Sequence, residues 1–569
     1  MARAATLLLM MVGAAYAKTP PALTASDIDK RVDEDYNGDP LLVDDAGYLR
    51  RVWIDLAGTP PPPDKVVAFL DDKHVDKRAK VVEELLASPL YAEHFARYWD
   101  GVLVGKERRD VKTSHAEFRR WMGERLAANA PWDSIARDLI TASGVSAHAP
   151  DGSDAATNVN GAVNWLLPHI RAPQEMGSTI ARELLGVQIQ CAQCHHHPTE
   201  KWTQDDFRGF AACFARVKAS PVDGTQMKGT KRMRVEDLER PIGAGPKAPM
   251  ELRDVVGVKP RVLDGAPITE GNPRVALAAW LTAPANPWFA RETVNRYWAY
   301  LVGFGFFEPI DDQRASNPAI APNILDALAS DFSAHGYDVK RLVKAICATH
   351  QYQLISDWCC KGCLCGFPDD GMPDWPIRHP LRALTPTELL AALDNATGVR
   401  ALVDRMAPDK AEKITQRLEA SVDFLFDVDE ESTARDYEGT IQQALMLLNG
   451  SLVASGGLAS PGSPLAAILD GPGTMSDKIT ALYLRTLSRR PNVKEVAHWI
   501  EFLSGEREVV RTGPRATQPK LKGGKGVAAG DPLAGIARRT KSQSPSAERQ
   551  AWEDLMWALL NSSEFGFRH

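Results

Sequence analysis

The spacing of the large apolar side chains is the feature that most limits what this chain can fold into. Apolar residues recur every three or four positions across residues 24–142, 272–354 and 385–503. One such face carries five large side chains: Tyr91, Phe95, Tyr98, Trp99 and Val102. This period is typical of helices that bury one side in a core, so the pattern predicts a mainly α fold.

Local signals mark helix ends within this pattern. Gly58 follows the last apolar residue of one predicted helix and is followed by prolines, which is a usual helix stop. Ser88 before Pro89 predicts the start of another helix, with serine as the N-cap. These signals indicate several short helices rather than a few long ones.

The chain has 569 residues, more than one hydrophobic core usually serves, so we expect more than one domain. We predict two helical domains with a small irregular or β-hairpin segment between them. Residues 24–216 form the first domain, 217–268 the connecting segment with short strands, and 269–510 with 549–569 the second. Residues 511–548 are rich in Gly, Lys, Pro and Ser, which predicts a flexible insertion.

The charge balance argues against nucleic acid as a partner. Lys and Arg total 67 and Asp and Glu total 73, which gives a net charge of −6. A chain of this balance has no broad positive field to attract phosphate backbones.

The first 17 residues have the pattern of a secretory signal peptide. One basic residue, Arg3, precedes an apolar run, and small residues at Ala15 and Ala17 form the expected cleavage site. The apolar run is short, and no later stretch reaches the roughly 18 apolar residues of a membrane helix. We therefore expect a secreted or periplasmic protein without a membrane span after cleavage.

The sequence CAQCH at residues 191–195 carries the strongest chemical signal. Its spacing lets Cys191 and Cys194 each add to one vinyl group of a haem, and the imidazole of His195 then lies where it can bind the iron. Haem attachment of this kind takes place outside the cytoplasm, and the signal peptide predicts export from the cytoplasm. The motif therefore predicts one covalently bound haem c.

Two other interpretations of the motif stay open. Cys191 and Cys194 could form a local disulfide, or they could supply half of a zinc site completed by two of the three consecutive histidines. His195 and His197 are the predicted metal ligands in that case.

The sequence does not single out a sixth iron ligand. Met176, His169 and His197 are the candidates, and an unfilled position would favour small-molecule binding or redox catalysis over simple electron transfer. Downstream, Thr203 is expected to cap a helix whose Phe207, Phe210 and Phe214 form either an apolar wall beside the haem or ordinary core.

Two further patterns suggest smaller features. Four cysteines fall within seven residues: Cys359, Cys360, Cys363 and Cys365. In an exported chain this predicts disulfides, and Cys347 and Cys213 are further candidate partners. Five positions have the spacing of a calcium loop: Asp33, Asp35, Asn37, Gly38 and Asp44. Pro40 and the aspartate in the last position depart from that loop, so a solvated acidic turn is the favoured interpretation.

Three long stretches carry a family resemblance. They are RRVWIDLAGTPPPPDKVVAFL with LLASPLYAEHFARYWDGVL, then LLGVQIQCAQCHHHPTEKWTQDDFRGFAACFARV, and NPRVALAAWLTAPANPWFARETVNRYWAYLVGFGFFEP. Together they resemble the paired PSCyt-type and PSD-type domains of unknown function in large secreted planctomycete proteins. The match spans nearly the whole chain after the signal peptide, and the family is named for its association with cytochrome c domains.

The resemblance implies a signature CxxCHxHPxxxW, which this chain matches at Cys191, Cys194, His195, His197, Pro198 and Trp202. His196 departs from the family, which usually has Asp or Asn there. Relatives are often encoded beside a secreted sulfatase-like protein. The resemblance therefore suggests that this chain binds either a sulfatase-like protein or a redox protein.

These observations together predict a secreted c-type haem protein that performs electron transfer or haem-assisted redox chemistry. The alternative is a non-redox scaffold that binds a glycan or another protein, in which the motif is a structural metal site or a disulfide.

Overall fold

The structure is a computed structural model that describes most of the chain. The described residues are 21–35, 40–105, 113–148, 158–222, 232–242, 250–356, 378–426, 459, 461–505 and 546–568. The predicted signal peptide and nearly all of the predicted insertion lie outside them. Within them helices dominate, which confirms the predicted mainly α fold.

The first part of the chain is a succession of short helices. They are α1 (Ala25–Asp35), α2 (Asp45–Ala57), α3 (Pro63–Asp71), α4 (Lys77–Ala87), α5 (Pro89–Leu103), α6 (His115–Ala127), α7 (Trp132–Ile140), α8 (Pro173–Leu185) and α9 (Gln204–Ala211). Four 3₁₀ turns accompany them: Gly161–Trp165, Leu167–His169, Gln190–Gln193 and Ala212–Phe214.

The later part is also helical. It contains α10 (Met250–Val255), α11 (Pro273–Leu281), α12 (Phe289–Val302), α13 (Pro322–Ala334), α14 (Val339–Cys347), α15 (His350–Gln353), α16 (Pro386–Thr397), α17 (Val399–Met406) and α18 (Ala411–Phe426). The 3₁₀ turn Pro408–Lys410 precedes α18, and the chain continues with α19 (Pro464–Asp470), α20 (Met475–Thr486), α21 (Val493–Leu503), α22 (Ala547–Leu560) and α23 (Ser563–Gly566).

The strand content is small and mostly falls where short strands were predicted. β2 (Val217–Pro221) and β3 (Met233–Asp237) pair antiparallel, with Lys218 opposite Glu236. β1 (Gly144–Val145) adds to the free edge of β3, so the order is β1-β3-β2. A second pair joins β4 (Arg382–Ala383) to β5 (Phe567–Arg568), near the end of the chain. α10 was not expected in the connecting segment.

The helix-end signals were informative to different degrees. Gly58 ends α2 in the left-handed conformation, with φ of 67°, as predicted. α5 begins at Pro89 as predicted, but the Ser88 side chain makes no cap hydrogen bond. The Ser88 hydroxyl is buried instead, so proline at the first helical position is the local signal that acts there.

Two large apolar cores and one small cluster organise the described residues. The small cluster packs Leu252 and Val255 of α10 against alanines near the end of α9. The main core runs from Ile28 to Tyr352, with Leu484 added from the later part of the chain, and includes the fully buried Trp99, Trp132 and Trp298. The second core runs from Leu384 to Phe565, and it also takes Ile54 from α2. Most of the main core thus comes from residues before 353, and most of the second core from residues after 383. Apolar spacing identifies which face of a helix is buried but not its partner, and the predicted domain boundaries stay a prediction.

Helix α2 joins the two cores through buried polar side chains. Asp55 and Arg568 form an ion pair with both side chains at most 1 % exposed, and the Tyr352 hydroxyl donates to Asp55 Oδ2 at 2.8 Å. Arg50 donates to the carbonyls of Thr486 and Phe565 at 3.2 and 2.9 Å. The chain's penultimate residue is therefore fixed to a helix near its beginning.

The Asp55–Arg568 ion pair should dominate the stability of this junction. We expect Arg568→Ala to lower the free energy of unfolding by about 3–5 kcal/mol, because it leaves a buried carboxylate without its cation. Lys65→Ala removes the exposed Lys65–Glu84 pair and should cost less than about 1 kcal/mol. Urea unfolding of the full chain measures both, and equal losses would contradict the assigned role of the buried pair.

Candidate functional site

The predicted haem motif lies on an exposed turn between α8 and α9. α8 ends at Gly186 in the left-handed conformation, and the 3₁₀ turn Gln190–Gln193 carries the first cysteine. The Gln204 side-chain amide at the start of α9 donates to the carbonyls of Gln193 and Cys194, at 3.1 and 3.3 Å. The turn is therefore held from the start of α9.

The two cysteines of the motif are free and accessible. Cys191 and Cys194 are both exposed, and neither takes part in a disulfide. Ala192 between them is buried, which fixes the turn while its neighbours face solvent. The arrangement leaves both sulfurs open to covalent attachment.

The imidazole of His195 is oriented as a metal ligand would be. Its Nδ1 lies 2.7 Å from the backbone carbonyl of His196. A carbonyl only accepts, so Nδ1 carries the proton and the Nε2 lone pair is open to coordination. Histidines that bind metals usually donate their other N–H in this way, which fixes the tautomer and the ring orientation.

The next two histidines have the opposite hydrogen-bond pattern. His196 Nδ1 accepts from the backbone N–H of Gln204 at 3.2 Å. His197 Nδ1 accepts from the N–H groups of Thr199 and Glu200 at 3.3 and 3.0 Å. An accepting Nδ1 leaves the proton on Nε2, so neither neutral ring offers Nε2 as a ligand. Of the three consecutive histidines, only His195 combines exposure with a coordinating Nε2.

The predicted zinc ligands do not gather into a cluster here. Among the residues that the structure describes, no three His, Cys, Asp or Glu side chains converge as a group that could hold a metal ion. A joint metal site of His195 and His197 therefore stays a prediction. The ring nitrogens of the two residues have different hydrogen-bond partners.

Residues far along the chain complete the surroundings of the motif. The Trp202 and Trp288 rings lie 6.0 Å apart, and Lys201 Nζ lies 4.9 Å from the first ring centroid and 5.7 Å from the second. The Ser316 hydroxyl donates to Glu200 at 3.2 Å. Sequence periodicity did not reveal these contacts, because they join segments more than 80 residues apart.

A buried charged cluster anchors the end of α8. Arg296 pairs with Glu183 at 3.0 Å and with Glu292 at 2.9 Å, and all three side chains are at least nine-tenths buried. Burial raises the pKa of both Glu183 and Glu292, and the Arg296 guanidinium opposes that shift. Gly186 packs directly on this cluster, since a Cβ there would overlap Oε2 of Glu292.

The structure separates two of the three candidate sixth ligands from the motif. Met176 and His169 both line a narrow cavity at the N-terminal end of α8, and the motif follows the C-terminal end of that helix, roughly 15 Å further along its axis. His197 is nearer in the chain, but its Nδ1 accepts two backbone hydrogen bonds. Met176 and His169 therefore lie away from His195, and the Nδ1 of His197 is already taken up by backbone hydrogen bonds.

The helix after the motif forms as expected, and its aromatic side chains pack in the main core. Thr203 caps α9 in a reciprocal capping box with Asp206. Phe207, Phe210 and Phe214 are all at most 4 % exposed. They pack in the main core, which is the second of the two interpretations that the sequence left open.

The other predicted sites lie largely outside the described residues. This holds for the four clustered cysteines at positions 359, 360, 363 and 365, and for Asn37 and Gly38 of the calcium-type pattern. Cys213 and Cys347 are buried free thiols, and burial raises the pKa of Cys213 to about 12. Asp44 accepts from the Gly47 N–H at 2.8 Å and so caps α2.

Two family models match parts of this chain. Residues 28–219 match the family model PSCyt2, described as a protein of unknown function (DUF1549). Residues 273–363 match PSD1, a protein of unknown function (DUF1553). Neither the curated proteins nor the solved structures give a match. Within the described residues, no helix is both long enough and apolar enough to cross a membrane.

The hydrogen bonds of the three histidines predict distinct tautomers. In protein without haem at neutral pH, His195 should be protonated on Nδ1 and His196 and His197 on Nε2. Nitrogen chemical shifts of labelled protein, assigned with single histidine variants, measure this directly. An Nε2-protonated His195 would contradict its assignment as the prepared ligand.

Two glycine substitutions distinguish the contact between Gly186 and Glu292 from the strain of a left-handed backbone. Gly186→Ala should cost about 2–5 kcal/mol, because a left-handed alanine is strained and its Cβ also overlaps the carboxylate. Gly257→Ala is the matched control, since Gly257 has φ of 85° with open space around it, and it should cost about 1–2 kcal/mol. Urea midpoints give the difference, and equal costs would show that Glu292 does not constrain this turn.

Proposed function

This chain pairs a PSCyt2 domain with a PSD1 domain, and on that premise we propose that it is an exported c-type haem protein that transfers electrons. The observation that carries the proposal is the Nδ1–H of His195 donating to the His196 carbonyl, beside two free thiols. A haem bound there would supply an iron that changes between two oxidation states by one electron.

Each residue of the motif has a separate part in this proposal. Cys191 and Cys194 are the covalent attachment points, because both sulfurs are unpaired and exposed. His195 provides the proximal nitrogen, and the backbone carbonyl of His196 keeps the ring in the coordinating tautomer. Gln204 holds the two carbonyls that surround the second cysteine, so it is a positioning residue.

The exposure of the motif favours electron exchange over enclosed catalysis. All three attachment side chains are exposed, and the neighbouring aromatic residues Phe207 and Phe210 are committed to the core. A redox partner could therefore approach the group at the surface. Water around the iron would favour its more highly charged oxidised state and lower the reduction potential. Export, which haem attachment requires, is part of the proposal and places the protein in the periplasm or outside the cell.

Haem attachment is tested by producing the full chain in a host with a cytochrome c maturation system. We expect a Soret band that survives acid-acetone extraction and a mass increase of one haem, located on the peptide with both cysteines. The Cys191→Ser, Cys194→Ser double variant should lose the covalent group. His195→Ala should shift the band, whereas the matched His196→Ala and His197→Ala should leave its position unchanged.

Two results would overturn the proposal. Mass spectrometry of the exported protein could find the two sulfurs bonded to each other or unmodified. The protein could also be colourless and contain stoichiometric zinc that is lost in the double cysteine variant, which would make the motif a structural metal site.

A further inference from the structure

A second site lies away from the motif, in an open cavity beside the β1-β3-β2 sheet. The cavity has a volume of about 820 Å³, within the usual range for small-molecule sites. Three cationic side chains line it, Arg171, Lys218 and Arg240, against one carboxylate, Glu239. The whole chain has a net charge of −6, so this is a local excess of positive charge.

Two of these cations have nothing to neutralise them. Within the described part of the chain, Arg171 and Arg240 are exposed and have neither a hydrogen-bond nor an ion-pair partner. Lys218 lies 3.6 Å from Glu236 across the β2–β3 pair. Two free guanidinium groups at one cavity can each bind an oxyanion through paired N–H donors.

Arg171 occupies a backbone position that normally requires glycine. The Ala172 N–H bonds the His169 carbonyl at 2.9 Å and closes a tight turn. Ile170 has φ of −59° and ψ of 126°, and Arg171 has φ of 73°. These angles define a type II turn, in which the third residue favours glycine. The chain therefore bears backbone strain that places a cationic side chain at the cavity.

Backbone hydrogen bonds fix a second segment that lines the cavity, residues 238–242. The Leu238 N–H donates to the Arg216 carbonyl at 2.9 Å, and the Ile242 N–H donates to the Ala215 carbonyl at 3.0 Å. These two bonds hold the segment that carries Glu239 and Arg240 against the end of the turn after α9. The backbone of this segment is therefore already ordered, and a ligand would have to order only the exposed side chains.

We propose that this cavity binds a small organic molecule through an oxyanion group, a phosphate, sulfate or carboxylate held by Arg171 and Arg240. The cationic side chains come from three different segments of the chain, and all three line this one cavity. The cavity has room for further atoms of the same molecule. The proposal rests on this cavity alone and is independent of haem at Cys191 and Cys194.

The test is calorimetric titration of the full chain with inorganic phosphate, inorganic sulfate and citrate, at ionic strength matched with chloride. We expect saturable binding of at least one probe to a single site. Arg240→Gln and Arg171→Gly should each weaken that binding about tenfold, the loss of one charged hydrogen-bonding group. Glu239→Gln should strengthen it, because it removes the one repelling carboxylate.

Two controls separate binding from general charge and from folding. Arg97→Gln removes an exposed arginine on α5 that also has no partner among the described residues, and it should leave the affinity unchanged. Arg171→Gly should raise the urea midpoint while it weakens binding, since glycine adopts the left-handed conformation without strain. A merely structural Arg171 would not combine these two effects.

The identity of the probe that binds distinguishes the anion class. Preference for citrate indicates a carboxylate ligand, and preference for phosphate or sulfate indicates a tetrahedral group; either result supports the site. Absence of saturable binding by all three probes at millimolar concentration would overturn the proposal. Equal affinities in the wild-type protein, Arg240→Gln and Arg171→Gly would overturn it as well.

Discussion

The rest of this structure depends on one buried ion pair, between Asp55 and Arg568. It joins a helix near the beginning of the chain to the last strand, and both side chains are withdrawn from water. Taking two charges out of water is costly, and further polar contacts offset part of that cost: the Tyr352 hydroxyl donates to Asp55, and Arg568 donates to the Tyr300 carbonyl at 3.4 Å. Since α2 also places Ile54 in the second core, the two cores form around a shared helix.

A second buried group of charged side chains supports the candidate haem motif. The turn that carries Cys191 and Cys194 is exposed, yet the helix before it ends on a buried cluster of Glu183, Arg296 and Glu292. Two of these residues lie on α12, within the PSD1 match, and one lies on α8, within the PSCyt2 match. The reactive side chains therefore stay accessible on a support to which both matched domains contribute.

The two proposed sites use contrasting physical means. At the motif, one backbone carbonyl selects the tautomer of His195, and the sulfurs remain unpaired. At the cavity beside the sheet, unneutralised charge and a strained arginine are the relevant features. The sites also lie toward opposite ends of α8, because Arg171 precedes that helix and Cys191 follows it. Occupation of one site need not obstruct the other.

The sequence by itself determined the helical class, the helix ends at Gly58, Pro89 and Thr203, and the residues of the motif. These follow from local rules: apolar period, proline at a helix start, glycine at a helix end, and the fixed spacing of CAQCH. Tertiary structure decided which faces pack together, that Phe207 and Phe210 belong to the core, and that Met176 lies far from His195. It also decided the ring orientations of the three histidines and the cavity at Arg171, because they depend on contacts between segments whose separation in the chain carries no periodic signal.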